Sequence, residues 1–328
     1  MLGRMGEFEL IDRFFKRPVR RADLGVGDDC ALLRPAPGMQ LALSCDMLVE
    51  GRHFLPEVDP AALGHKALAV NLSDLAACGA QPRAFLLALA LPQADAAWLA
   101  PFARGLLTLA DAHDCELVGG DTTQGPLNIS ITVLGELPHG QALLRSGARA
   151  GDDVYVSGSL GDARLALEAL QGRLSLPAPV FDAARARLER PTPRVALGLA
   201  LRGPATAAAD VSDGLLGDLG HILKASGVGA RIEAEAALPL LAAAAPLVQA
   251  GSPIGRERQL ACVLAGGDDY ELVFTAPATA RAAVQAAAQA STTPVTRIGR
   301  IEAEPGLRLV DAEGLAMAGG YASFDHFA

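Results

Sequence analysis

Six short segments of this 328-residue chain set aspartate beside glycine, serine or threonine: Gly27-Asp28-Asp29, Ser44-Cys45-Asp46, Asn71-Leu72-Ser73-Asp74, Gly120-Asp121-Thr122-Thr123, Asp210-Val211-Ser212-Asp213-Gly214 and Gly266-Gly267-Asp268-Asp269. Carboxylates gathered at one place repel each other and protonate unless cations neutralise them. Mg²⁺ takes oxygen ligands shared among carboxylate, water and substrate phosphate. The pattern therefore points to divalent metal and phosphate. None of Lys16, Lys66 and Lys224, the only lysines, closes a G-x-x-x-x-G-K-[ST] loop, which excludes a Walker-type nucleotide site.

Taken singly, the segments admit plainer readings. Residues 41–46 read as an apolar strand ending in a hydroxyl and a carboxylate, where α/β proteins present ligands. Asp46 is a metal candidate, although a lone aspartate after a strand is more commonly a turn or cap residue; the other five segments favour the metal. Asn71 and Asp74 share a helix face with Ala67 and Val70, and a structural amide plus a capping aspartate would explain them as well. The glycines before Asp121 let backbone N–H groups approach a phosphate; a hairpin turn is the competitor. Residues 207–211 form a strand that delivers Asp210, with Ser212 on the same side and Asp213 beside it. Ser212 or Asp213 could cap the following helix, but capping leaves Asp210 unexplained. The 266–271 segment suits a recognition loop or a plain acidic turn. His53, seven residues after Asp46, is the one histidine notable for its place, in Glu50-Gly51-Arg52-His53-Phe54. Arg145 suits a bidentate phosphate contact or a salt bridge between domains.

The elements that must position these residues are those of an α/β chain. Strands are expected at 41–46, 84–91 and 127–136, the last by the alternation of Leu127, Ile129, Ile131 and Val133 with Asn128, Ser130 and Thr132, and helices at 61–78 and 93–113 by length and apolar spacing. A short helix at 6–16, with Phe8, Ile11 and Phe15 on one face, is expected to pack across a neighbouring domain. Leu137-Pro138-His139-Gly140 breaks the pattern and bounds the first half. Beyond it, strands are expected at 153–157, 207–211, 230–233, 271–274 and 297–301, and helices at 162–170, 194–201, 215–225 and 278–290.

Composition narrows the function further. A hydrophobic content of 51% supports two cores, and a net charge of -9 argues against a nucleic-acid groove. Cysteines 30, 45, 78, 115 and 262 are odd in number and lack a Cys-x-x-Cys pair, so neither a disulfide framework nor a zinc ribbon is expected. Arg4, Glu7, Glu9 and Asp12 stand where a signal peptide needs an apolar core, and no run approaches a membrane span. A soluble cytoplasmic protein is expected.

In order along nearly the whole chain, Gly25-Val-Gly-Asp-Asp-Cys-Ala31, Cys45-Asp-Met-Leu-Val-Glu-Gly-Arg-His-Phe54, the 66–80 segment, Gly119-Gly-Asp-Thr-Thr123, Asp210-Val-Ser-Asp-Gly-Leu215 and Gly267-Asp-Asp-Tyr-Glu-Leu272 resemble the bacterial thiamine-monophosphate kinase family. That family belongs to the aminoimidazole ribonucleotide synthetase-like superfamily. The resemblance implies an α/β, two-domain fold. Residues 1–138 would form the ATP- and Mg-binding domain, whose sheet pairs across a homodimer, and 139–328 an α/β domain completing the active site. It implies Mg²⁺ ligands at Asp28, Ser44, Cys45 through its carbonyl, Asp46, Asp74, Asp121, Asp210 and Asp213. ATP contacts would fall at Arg104, Gly120, Asp121, Arg145 and Ser212, and thiamine monophosphate contacts at His53, Asp268 and Phe324. Two positions depart from the family pattern: Asp268 replaces the commoner glutamate, and Arg104 stands where a tyrosine-like ATP neighbour is usual.

The implied reaction is direct in-line transfer of the ATP γ-phosphoryl group to the acceptor phosphate, with no general base assigned. A sister phosphotransferase of the superfamily, or an idle Mg-nucleotide binding module, is the alternative. The first is disfavoured because Leu48-Val-Glu-Gly-Arg-His53 replaces the Gly-Val-Gly-Thr-Lys segment of aminoimidazole ribonucleotide synthetases. The reactive N-terminal cysteine of selenophosphate synthetases is missing as well.

Overall fold

Helix α1 (Glu7–Leu10) widens into a π turn at Ile11–Phe15, and Phe15 meets Phe102 edge-on at 6.5 Å. The computed structural model describes residues 5–249, 254–317 and 321. They fall into two compact units, one running to Leu75 and resuming over Ala80–Gly140, the other comprising Ala76–Gly79 and the chain from Gln141 onward. The N-terminal segment packs within its own unit, where Phe102 supplies the apolar surface that Phe15 needs.

The first unit continues through β1 (Met39–Val49), α2 (Pro60–Cys78), β2 (Gln81–Leu91), α3 (Ala96–Ala112), β3 (Glu116–Gln124) and β4 (Asn128–Pro138). Its four strands lie in the order β1-β4-β2-β3, antiparallel except at β2–β3. The parallel pair needs the crossover that α3 provides. Alternation sorts β1 into two faces: Ala42, Ser44 and Asp46 are half-buried, while Leu41, Leu43, Cys45 and Met47 are exposed. The core gathers Phe85, Leu89 and Ile129 of the sheet with Leu68, Leu72, Leu75, Phe102 and Leu106 of the helices. The glycine-rich segment around Gly120, for which a turn was the competing reading, is the edge strand β3.

In the second unit the order is β5 (Asp153–Ser157), α4 (Asp162–Leu170), α5 (Ala178–Glu189), α6 (Val195–Ala200), β6 (Ala207–Val211), α7 (Leu215–Ser226) and β7 (Gly229–Glu233). There follow α8 (Ala234–Ala237), α9 (Ala245–Gln249), α10 (Arg256–Ala265), β8 (Glu271–Ala276), α11 (Arg281–Ala290), β9 (Val295–Glu302) and β10 (Gly306–Val310). The six-stranded sheet has the order β10-β7-β9-β5-β8-β6. Every residue of β5, β6 and β8 is buried, so these strands read as unbroken apolar runs interrupted only where a polar group is deliberately paired. Helices α5 and α10 and strand β10 went unmarked in the sequence reading.

Glu116, the first residue of β3, ties the N-terminal arm to the sheet. Its carboxylate accepts backbone N–H bonds from Arg20 (2.8 Å), Arg21 (3.1 Å) and Ala22 (3.2 Å). Burial pushes this carboxyl up, but the three N–H donors and the Arg20 guanidinium outweigh it and hold the pKa below the usual 4.5. A carboxyl depressed by folding adds stability that is full above its unfolded value and is lost as pH falls through the folded one. Glu116→Ala is therefore expected to cost about 1–3 kcal/mol at neutral pH and to flatten the acid limb of a stability-versus-pH profile below pH 4.5. Urea titrations across that range check it; superimposable profiles would remove the anchoring role.

Candidate functional site

In the first unit the seam between β1 and α2 collects oxygen atoms. Ser44 Oγ donates to Asp74 Oδ2 at 2.5 Å, and the backbone N–H of Asp46 donates to Asn71 Oδ1 at 3.0 Å. Asn71 Nδ2 in turn donates to the Ala67 carbonyl at 3.0 Å. Asn71 is therefore a brace that fixes Asp46 against α2, the structural-amide reading that its spacing left open. Cys45 points to the opposite face, its Sγ 3.6 Å from Ser130 Oγ, so any metal role for it rests on its carbonyl. After β1 the chain turns tightly, and His53 Nδ1 accepts the Val49 N–H at 3.0 Å, which puts the ring proton on Nε2. The buried Lys66 donates to the His53 carbonyl at 3.4 Å.

Gly120 has φ +146°, and a Cβ there would lie 1.9 Å from the Leu87 carbonyl oxygen, so only glycine fits this close strand contact. A bulge between Phe85 and Leu86 accompanies it, and the exposed Asp121 follows. Register links Asp46 to Ile131, Ile131 to Leu87 and Leu87 to Gly120. Asp46 and Gly120 thus sit at one level of the sheet, three strand spacings or about 14 Å apart. Asp28 is exposed, its Oδ1 accepting the Asp29 N–H at 2.8 Å, and Arg104 is exposed on α3. Among the described residues no three His, Cys, Asp or Glu side chains converge tightly enough to cage an ion by themselves. The donor set of hydroxyl, carboxylate and carbonyl oxygen suits Mg²⁺, which ordinarily completes its shell with water and phosphate.

In the second unit the two acidic motifs form one structure. The Asp268 N–H donates to the Ser212 carbonyl at 2.8 Å and the Tyr270 N–H to the Val211 carbonyl at 2.9 Å. A Cβ on Gly267 would meet the Ser212 oxygen at 2.5 Å. Asp268 and Tyr270 take φ values of +68° and +51°, strained for non-glycine residues. Asp210 is the last residue but one of β6, buried and paired in register with Leu272. The N–H groups of Ser212, Asp213 and Gly214 all donate to Asp218 Oδ2, at 3.1, 3.1 and 3.2 Å. Asp218, in the first turn of α7, thus ties down the loop that leads into the helix, while the N-cap Gly214 receives no side-chain cap from Ser212 or Asp213. Burial pushes the Asp218 carboxyl up to about 6, the three N–H groups opposing it and the Asp213 charge adding to it.

The acids of the 266–271 segment divide by burial. Asp269 is fully buried and accepts from the N–H groups of Gly161 (2.7 Å) and Ala163 (3.4 Å) at the start of α4. Burial holds its carboxyl well above the ordinary range against those donors. Glu271, also fully buried, accepts from Ser157 Oγ (2.5 Å), Arg187 (2.8 Å) and Arg194 (2.6 and 2.5 Å). Arg187 also donates to the Asp269 carbonyl at 3.0 Å. Only Asp268 remains partly exposed, with Tyr270 Oη 3.4 Å away. Arg145 is exposed, its carbonyl accepting from Ser226 Oγ at 3.1 Å. Phe324 lies outside the described residues. Asp218 and the Glu271–arginine cluster escaped sequence reasoning; an aspartate in the first turn of a glycine-led helix was the one available signal, for Asp218.

A two-unit α/β chain with its acids at strand ends and seams defines a class. The family profile of the AIR synthase related protein N-terminal domain matches residues 27–137 and that of the C-terminal domain residues 149–312. A crystal structure of thiamine-monophosphate kinase from Stenotrophomonas maltophilia K279a superimposes with a TM-score of 0.83 at 47% identity, covering 94% of this chain and 96% of that one. AaThiL complexed with AMPPCP and TMP superimposes with a TM-score of 0.74 at 31% identity, over 98% and 97%. The thiamine-monophosphate kinase of Salmonella typhimurium (strain LT2) is 47% identical over 330 residues, 98% of each chain. The chain belongs to the AIR synthase related proteins and, within them, to the thiamine-monophosphate kinase family.

The division of labour in the acidic segment is testable by contrast. Glu271→Ala removes a fully buried carboxylate and leaves two partly buried guanidinium groups without it, and is expected to cost about 3–5 kcal/mol. Asp268→Asn keeps a residue tolerant of positive φ and should stay within about 0.5 kcal/mol of the parent. Thermal and urea unfolding measure both, and equal losses would mean that burial does not separate the two acids.

Proposed function

We propose that this protein transfers the γ-phosphoryl group of ATP to the phosphate of thiamine monophosphate, yielding thiamine diphosphate and ADP, the last step in making that cofactor. The observation that carries the reading is 47% identity with a curated thiamine-monophosphate kinase along 98% of both chains. The AaThiL structure, holding AMPPCP and TMP, supports the pair of substrates. The acceptor oxygen of a phosphate monoester is largely ionised near neutral pH, so the reaction needs no general base; its barrier is repulsion between two polyanions.

Mg²⁺ would be held in the first unit by Asp28, Ser44, the Cys45 carbonyl, Asp46, Asp74 and Asp121, and in the second by Asp210 and Asp213. It would supply neutralisation of phosphate charge. In the first unit Gly120, free of a side chain, would admit a nucleotide to the β3 backbone with Arg104 as a further ATP contact, and in the second unit Arg145 and Ser212 would be the phosphate donors. His53, its proton on Nε2, would donate to the acceptor phosphate. Asp268 would face the cationic thiamine with Phe324 stacking on it. Strain at Asp268 fits a residue whose backbone is set by its neighbours for binding.

A homodimer belongs to the same reading. Leu41, Leu43 and Met47 of β1 and Leu86 of β2 expose an apolar sheet face, Leu43 by 63%. A second copy of that face would cover it. Five free thiols suit a reducing cytoplasm, and among the described residues no helix is long and apolar enough to cross a membrane.

With ATP, Mg²⁺ and thiamine monophosphate, chromatography should detect thiamine diphosphate, and none with thiamine as acceptor. ATP binding without product would sink the kinase reading in favour of an idle module. Asp46→Asn, Asp121→Asn and Asp210→Asn should each lower kcat by about a hundredfold or more with the fold retained by circular dichroism. Near-normal turnover in any of them removes that residue from the metal set. Leu43→Lys should convert a sedimenting dimer to monomer; an unchanged dimer would place the interface elsewhere.

A further inference from the structure

At the far edge of the second unit's sheet, three arginines stand side by side. Register pairs Arg231 of β7 with Arg300 of β9 on one flank and with Arg308 of β10 on the other. In-register partners turn to the same face, and like charges directly opposite one another, with Cβ atoms about 5 Å apart, are destabilising. The arrangement is the more notable in a chain of net charge -9.

Neighbouring acids relieve only part of this. Arg308 is neutralised by Glu302 at 3.0 Å and Glu304 at 3.4 Å. Among the described residues, Arg300 donates only to the Gly151 carbonyl, at 3.4 Å. Its partner on the next strand is Asp153, but that carboxylate is taken bidentately by Arg281 at 2.7 and 2.9 Å. Arg231, in the middle of the row, has no ion pair or hydrogen bond to its guanidinium among the described residues. The three side chains, with Gly151, Glu302 and Glu304, line a concavity of about 810 Å³. That volume exceeds one phosphate group and leaves room for an organic body.

We propose that the Arg231–Arg300–Arg308 row is a binding site for a phosphate-bearing small molecule, distinct from the acidic segments assigned to the kinase reaction. A tetrahedral oxyanion between Arg231 and Arg300 accepts from both planar donor forks and converts their repulsion into shared attraction. A monocarboxylate offers fewer acceptors and a single charge to two cations. Glu302 and Glu304, beside Arg308, confine the anion to the Arg231–Arg300 side.

The test is calorimetric titration of the full chain with inorganic pyrophosphate in the presence of a chelator, so that the carboxylate-rich segments, stripped of divalent cations, repel the probe. Saturable binding is expected, weakened about tenfold in Arg231→Thr and again in Arg300→Thr. Without the probe, Arg231→Thr should melt no lower than the parent, because it removes a like charge and keeps a strand-forming residue. Thiamine monophosphate turnover should be unchanged in both variants. Absence of saturable binding in the parent, equal affinity in parent and variants, or a loss of turnover parallel to the loss of binding would overturn the proposal. The binding readout stands whether or not the chain turns over its proposed substrates.

Discussion

A carboxylate removed from water must be given hydrogen-bond donors, and this requirement organises the protein. Glu116 takes three backbone N–H groups of the N-terminal arm, and Asp218 takes the three that follow β6. Asp269 takes the first N–H groups of α4, and Glu271 takes two arginines and a serine. Each costs desolvation, and each is compensated by fixing a piece of backbone. The acids that stay at the surface, Asp46, Asp121, Asp213 and Asp268 among them, are thereby carried on segments whose conformation is already decided.

The same logic explains why Asn71 and Asp74, one turn apart, do different work. Asn71 is buried, steadies its amide on the Ala67 carbonyl of its own helix and accepts the Asp46 N–H, so β1 and α2 cannot slide without breaking that cross-element bond. Asp74 keeps partial exposure and meets Ser44. A neutral amide is cheaper to bury than a carboxylate, which is why the brace is asparagine and the outward member aspartate.

Features unfavourable to stability are concentrated in a few places. Positive φ at Asp268 and Tyr270, the glycine-only contact at Gly120 and the row Arg231–Arg300–Arg308 each break a local rule of good folding. The first two lie within segments proposed to meet substrate and nucleotide, where local rules are commonly broken in return for a fixed ligand geometry. Buried thiols follow the opposite pattern: burial pushes Cys115 and Cys262 up to about 12, leaving them as inert packing groups.

Much of this was legible along the chain. Strands β5 and β6 and helix α4 were expected with the bounds observed, since Gly, Ser and Asp punctuate runs of uniform period. Strand β3 was not, because Gly119 and Gly120 interrupt its alternation and it is held by pairing with β2, a contact no local pattern encodes. The sequence alone determined the α/β class, the family and the six acidic segments, since residue type and short-range spacing carry those signals. Tertiary structure decided which acid does what. Asp268 and Asp269 are adjacent and chemically identical, yet one is turned outward and the other lies buried against α4. Local sequence governs backbone period, whereas burial depends on what distant segments lay over each side chain, and it is burial that separates a structural carboxylate from one able to meet a ligand.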